Sequence, residues 1–238
     1  MKKVIRDFLE QRMKIVRNPV NRNDRVGMLH KCWGNIFTNL IEGGYYEFGV
    51  YHGVTFLDSW RAYLDYKKWA ASQLNSPEQW RRDVMKDYET YQHEFYGFDT
   101  FEGMPGNQEG NVTFAKGTFL SSQIDIEEKC KKLGMRFRIF KGLFSVLPEE
   151  TVKDLQPAAI VNIDGDLYFS ARDALGKVAP KLQQGTILLM DDYYCFASDN
   201  NKGERRALKE FTAVHTCFEF EPWFSYFYSG QAFICHKK

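Results

Sequence analysis

Apolar residues recur every three or four positions over residues 1–17, where Val4, Ile5, Phe8, Leu9, Met13 and Val16 are separated by charges; this spacing predicts an amphipathic helix. A second helix is predicted over about 27–41. Such segments ahead of a main fold usually pack as core helices, with a lid or a dimer contact as the sharper reading. Beyond them the period changes. Short apolar or aromatic runs at Tyr45–Val50, Phe95–Phe98, Phe137–Phe140, Ala158–Ile163 and Thr186–Met190 each close on a turn signal or an acid, and read as strands. The stretches between them, 55–92, 124–133, 149–155 and 170–182, have helical composition. Strands that alternate with helices pair in parallel through crossovers, so the pattern predicts an α/β fold with a mainly parallel sheet. Toward the C-terminus, Cys217–Phe220 and Trp223–Tyr228 precede Ser229-Gly230 and then Gln231–Cys235, a hairpin signal that would finish the sheet with antiparallel pairing at one edge.

The 238 residues fit one large domain, and no repeat, low-complexity tract or Pro/Ser-rich linker divides them. The whole chain, 1–238, is therefore read as a single domain, with 1–41 as a helical extension and about 55–92 as an enlarged helical insertion. Hydrophobic residues at 44% and aromatics at 16% suffice for a three-layer core and exclude disorder. The 32 Lys and Arg nearly cancel the 31 Asp and Glu, which leaves no global field to hold a polyanion or an acidic membrane surface. Neither nucleic acid nor membrane is an expected partner. No apolar run approaches the roughly 18 residues of a membrane span, and Arg6, Asp7 and Glu10 soon interrupt the N-terminal apolar pair, so neither signal peptide nor anchor is expected there. Five widely spaced cysteines without a CxxC pair suggest a reducing cytoplasm.

Three segments carry candidate chemistry. In Glu47-Phe48-Gly49-Val50-Tyr51-His52-Gly53-Val54-Thr55 an apolar strand runs through small residues into a helix. Gly49 and Gly53 would let the backbone turn tightly and approach a ligand, with free N–H groups of the following helix aimed at it. Tyr51 stands where a GxGxxG cradle has its middle glycine, and ordinary strand-to-helix turns also use glycine. Next, Tyr96-Gly97-Phe98-Asp99 ends a strand on an acid that could accept from both hydroxyls of a ribose or, equally, cap the next turn. Third, Val161-Asn162-Ile163-Asp164-Gly165-Asp166 and Thr186–Asp192 are apolar strands that both end in paired acids. In a parallel sheet the ligand crevice lies at the C-terminal strand ends, so Asp164, Asp166, Asp191 and Asp192 would converge there. Close carboxylates repel unless one is protonated or a cation sits between them, and an all-oxygen set suits a hard ion such as Mg²⁺. Otherwise some of these acids cap helices or pair with Lys202, Arg205 and Arg206. Asp164-Gly165-Asp166 also has the DxD form by which many glycosyltransferases hold a metal and a nucleotide-sugar, and a non-catalytic nucleotide-binding protein is a third reading.

In combination, EFGVYHG, YGFDTFEGMP, IDGDLYFSARDAL, KLQQGTILLMDDYY and KGERRALKEF, in that order, resemble the macrocin O-methyltransferase family over about residues 40–215. The resemblance implies a Rossmann-like class I methyltransferase fold with a seven-stranded sheet whose last strand is antiparallel. It also implies S-adenosylmethionine and Mg²⁺ as cofactors, a sugar-containing small molecule as acceptor, and a homo-oligomer. Carried over position by position, Glu47, Phe48, Gly49, Gly53 and Thr55 form the cofactor turn, and Asp99 with Phe101 serves the ribose region. Asp164, Asp191 and Asp192 match the metal ligands, and Asp164, also beside the cofactor, matches a proposed catalytic base. Three departures stand out: Val54-Thr55 replaces the usual Gly-Ser, the stretch up to Asp99 is longer, and Tyr193-Tyr194 follows Asp192. The aromatics Trp33, Trp80, Trp223, Phe224, Tyr226 and Phe227 could stack on a sugar ring or serve as packing.

Overall fold

A computed structural model describes residues 25–106, 109 and 114–238. The helix predicted over 1–17 lies outside them. Helix α1 (Arg25–Thr38) leads into strand β1 (Gly44–Phe48), then α2 (Val54–Gln73), α3 (Gln79–Tyr88) and β2 (Phe95–Asp99). There follow α4 (Gln123–Lys132), β3 (Phe137–Lys141), the single turn α5 (Glu150–Lys153), β4 (Ala158–Ile163), α6 (Tyr168–Val178) and β5 (Ile187–Met190). Helix α7 (Gly203–Val214) and strands β6 (Phe218–Tyr226) and β7 (Gly230–Lys237) complete the described order.

The strands form one seven-stranded sheet in the order β3-β2-β1-β4-β5-β7-β6. Strands β1 to β5 pair in parallel, and β7 runs antiparallel to both β5 and β6. The expected α/β architecture with a terminal hairpin is thus present. The hairpin turns at Phe227–Ser229, where Phe227 adopts a left-handed φ of 49°. The stretch 55–92 resolves into α2 and α3, whereas the helix expected over 170–182 starts earlier, at Tyr168, and stops at Val178 before a 3₁₀ turn containing Pro180. Proline cannot donate to the preceding helical turn, which accounts for the stop.

Alternation along the strands divides the core between the two sheet faces. Tyr45, Phe95, Ile187 and Leu189 face α1 and α2, where Trp33, Phe37, Phe56 and Tyr63 pack on them. Tyr46, Phe48, Phe98, Val161, Leu188 and Met190 face α6 and α7 with Ala171, Leu175 and Phe211. Large rings do most of the filling: Phe48 and Phe98 stack at 4.5 Å between centroids, and Trp33 and Phe95 at 5.7 Å. Such aromatic pairs add about 0.5–1.5 kcal/mol each beyond their area. Trp33 and Tyr226 are therefore packing residues, not sugar platforms, while Trp80 is exposed on α3. Among the described residues no helix is long and apolar enough to cross a membrane.

Candidate active site

Hydrogen bonding continues past the strands and sets the strand ends level. Gly49 N–H donates to Phe98 O at 2.8 Å, Asp164 N–H to Phe48 O at 2.9 Å, Asp191 N–H to Ile163 O at 3.0 Å, and Gly142 N–H to Asp99 O at 2.9 Å. The C-terminal ends of β1, β2, β4 and β5 therefore meet at one rim. A cavity of about 530 Å³ opens there, lined by Gly49, Asp99, Asp164, Asp166, Asp191 and Asp192 among others, a size suited to a small-molecule ligand.

Gly49 makes this rim possible. Its φ is +96°, and a Cβ at this position would lie 2.0 Å from the Asp164 carbonyl oxygen, so only glycine allows β1 to pass so close to β4. Tyr51, in the place of a second cradle glycine, also takes a left-handed φ of 48° and lines the cavity. Asp99 holds the turn: Oδ2 accepts from Tyr51 N–H and Oδ1 from Phe101 N–H, both at 2.8 Å. Each carboxylate oxygen keeps a lone pair for a further donor.

The other residues expected at the cofactor turn lie outside the cavity lining. Phe48 is fully buried between Phe98 and Phe144. Gly53 precedes α2 as its left-handed N-cap, Thr55 is half-buried in the first turn of α2, and Phe101 is buried. Glu47 is 1% exposed, and the Tyr45 hydroxyl donates to it. Burial pushes its carboxyl up to about 8, against hydrogen bonds from Tyr45 and Asn162 that favour the anion.

All four acids gather at the ends of β4 and β5. Carboxylate oxygens of Asp164, Asp166 and Asp192 lie within 4.8 Å of one another, the group among the described residues that could hold a metal ion. Asp191, also expected as a metal ligand, is not in that close group and is buried against Arg25: Arg25 Nε donates to its Oδ1 at 3.2 Å, and Nη2 to its Oδ2. The anticipated partners Lys202, Arg205 and Arg206 do not take this place; Arg205 bonds Asn200 and Arg206 pairs with Glu210. Arg25 went unnoticed in sequence because it lies far from the acids along the chain, with no motif around it.

Burial and mutual repulsion raise three of the four acids, Asp164, Asp166 and Asp191. Asp166, whose φ of 57° is left-handed, is pushed up to about 9 by burial and Asp192, and Asp164 well above the carboxylate range by burial and Asp191. Burial lifts Asp191 to about 6, the Arg25 charge opposing it. Cys195 Sγ donates to Asp192 Oδ1 at 3.1 Å, and the fully buried Glu204 of α7 accepts from Asp192 N–H at 3.0 Å. Among the described residues Glu204 Oε1 has no hydrogen-bond partner. Glu109 bridges two helix starts, accepting from Tyr168 N–H at 2.7 Å and Gly203 N–H at 2.9 Å. A half-buried carboxylate group in which Asp164 and Asp166 are raised, beside the buried Glu204, is short of positive charge, and hard-oxygen donors suit a divalent ion.

This sheet, with its one reversed strand and its ligand rim, is that of a class I methyltransferase. The model of the macrocin O-methyltransferase (TylF) family matches residues 80–219, and the chain belongs to that family of O-methyltransferases. The match begins after the glycine turn and includes Asp99 and all four acids. Among solved structures, the O-methyltransferase NovP superposes with a TM-score of 0.63 at 18% identity, over 88% of this chain and 78% of that one. CalS11, a calicheamicin methyltransferase, gives 0.58 at 18% identity over 88% and 77%. An O-methyltransferase from Bacillus cereus in complex with SAH gives 0.51 at 8% identity over 87% and 80%. No curated protein matches the chain in sequence. Family membership removes the glycosyltransferase reading of Asp164-Gly165-Asp166.

Proposed function

We propose that this chain is an S-adenosylmethionine- and Mg²⁺-dependent O-methyltransferase that acts on a hydroxyl of a sugar-containing small molecule. The observation that carries this reading is one cavity that joins Asp99 on one side to the carboxylate group on the other, in a chain of this family. Sugar-directed chemistry is supported by the family and by CalS11, whose second structure is described as a TDP-rhamnose 3'-O-methyltransferase.

S-adenosylmethionine supplies an activated sulfonium methyl, and Mg²⁺ supplies a charge that lowers the pKa of a hydroxyl. The residues do the rest. Asp99 accepts from the ribose hydroxyls while it holds Tyr51 and Phe101 in place, and Leu143 and Phe144 give an apolar wall for the adenine. Gly49 leaves room for the methionine end, with Glu47, Gly53 and Thr55 shaping the turn behind it. Asp164, Asp191 and Asp192 would hold the metal, with Asp166 beside them, and Asp164 would receive the acceptor proton. Alignment of acceptor oxygen and methyl group contributes up to about 7–11 kcal/mol in favourable intramolecular cases. We also expect a homo-oligomer, as sedimentation velocity would reveal.

Calorimetry with S-adenosylhomocysteine, with and without Mg²⁺ and with a uridine nucleotide-sugar as control, tests the cofactor. Methyl transfer to sugar acceptors, followed by mass spectrometry in Mg²⁺ and in excess EDTA, tests the reaction. Micromolar binding and EDTA-sensitive transfer are expected; transfer that persists in EDTA would remove the metal from the mechanism.

A further inference from the structure

Arg25 is the first described residue of α1, and the described first turn of that helix offers it no acid. The compensation is remote: Asp191 takes the guanidinium on both carboxylate oxygens, and Nη2 stands 3.9 Å from Asp164 Oδ2. The guanidinium carbon lies 5.6 Å from the Phe227 ring, which walls it on one side. One residue of α1 thus neutralises part of a cluster built from the ends of β4 and β5. The close carboxylate group, Asp164, Asp166 and Asp192, omits the acid that Arg25 holds.

We propose that Arg25 is a resident counter-cation of this cluster, which competes with a divalent metal for Asp191 and Asp164 and so sets the metal affinity. The inference rests on the metal reading given above. A divalent ion held by Asp164 would share that carboxylate with the guanidinium 3.9 Å from its Oδ2, and like charges so placed repel. The metal therefore binds fully only as Arg25 lets go. Release needs no opening of the core, because the Arg25 side chain is 41% exposed whereas that of Asp191 is 4% exposed. A guanidinium is weakly hydrated and matches a carboxylate with its planar fork, so it holds the site well without metal yet cannot replace a metal's contacts to several acids at once.

The test is Mn²⁺ binding to the full chain, read by the free-Mn²⁺ electron paramagnetic resonance signal and by competition with Mg²⁺, for wild type, Arg25→Gln and Arg25→Lys. Melting curves and S-adenosylhomocysteine affinity control for folding. Arg25→Gln should bind Mn²⁺ at least tenfold more tightly than wild type, and Arg25→Lys, which keeps the charge without the fork, should fall between. Equal or weaker binding in Arg25→Gln, with wild type binding Mn²⁺, overturns the competition alone. No binding in any of the three overturns the metal reading and the competition with it.

Discussion

The Asp192 backbone N–H donates to Glu204 Oε2 across 3.0 Å, so a side chain in the first turn of α7 anchors the strand end that carries the acids. Glu204 is fully buried, and burial followed by the charge of Asp192 raises its pKa well above the carboxylate range. A raised folded-state pKa means stability that is present at low pH and lost as the group ionises. Glu204→Gln retains an acceptor oxygen without the charge. In thermal denaturation it should melt above wild type at pH 9, with the difference shrinking toward pH 5. Glu204→Ala strands the Asp192 N–H and should cost about 1–3 kcal/mol. A Gln variant that tracks wild type across this range would show that the buried carboxyl bears no charge cost.

Asp99 ties the glycine turn to the end of β2 through two N–H bonds. Asp99→Ala should weaken S-adenosylhomocysteine binding at least tenfold by calorimetry, and Asp99→Asn, with one acceptor oxygen left, by less. Unchanged affinity in both would remove Asp99 from the ribose site.

Gly49 and Gly176 make a contrasting pair. Gly49→Ala places a Cβ 2.0 Å from a backbone oxygen at a φ of +96°, and should abolish adenosyl-ligand binding and lower the melting temperature. Gly176 lies inside α6 with nothing within 4 Å of an added Cβ, so Gly176→Ala should stabilise by about 0.5–1 kcal/mol. Circular dichroism melts of the two variants decide both points.

Two buried groups should tilt the stability profile in opposite directions. Burial lowers the His93 pKa from 6.5 to about 4, so its contribution is full above pH 6.5 and is lost as pH falls toward 4. Glu47, raised from 4.5 to about 8, contributes most below pH 4.5 and least above 8. His93→Gln should flatten the acid limb of a urea-midpoint profile, and Glu47→Gln the limb between pH 4.5 and 8. A profile that either variant leaves unaltered would contradict the corresponding shift.

The parallel heart of the sheet was legible because four of its strands are apolar runs that end beside a residue the fold uses: Phe48 before Gly49, Phe98 before Asp99, Ile163 before Asp164, Met190 before Asp191. Alternation and turn chemistry are local, so sequence exposes them. Convergence of the four acids was legible too, since parallel pairing dictates it. What pairs with them was not. Lys202, Arg205 and Arg206 are near Asp192 in sequence, but the helical surface of α7 gives Arg206 a nearer acid in Glu210, while Arg25 reaches Asp191 across 166 positions of chain. Glu204 was hidden for a related reason: within Lys202-Gly203-Glu204-Arg205-Arg206 it reads as one charge of a solvated helix start, and only its place in the first turn sends it inward to the N–H of Asp192.

Strand β7 follows β6 in the chain yet sits between β6 and β5. Until β7 docks, Ile187–Met190 of β5 presents an unpaired apolar edge beside the acids, an open template for another chain. The hairpin therefore guards this edge against strand pairing with another chain. Lesions in it, such as a polar substitution at the buried Phe233 or Ala232, would show themselves as loss of soluble protein before any loss of chemistry.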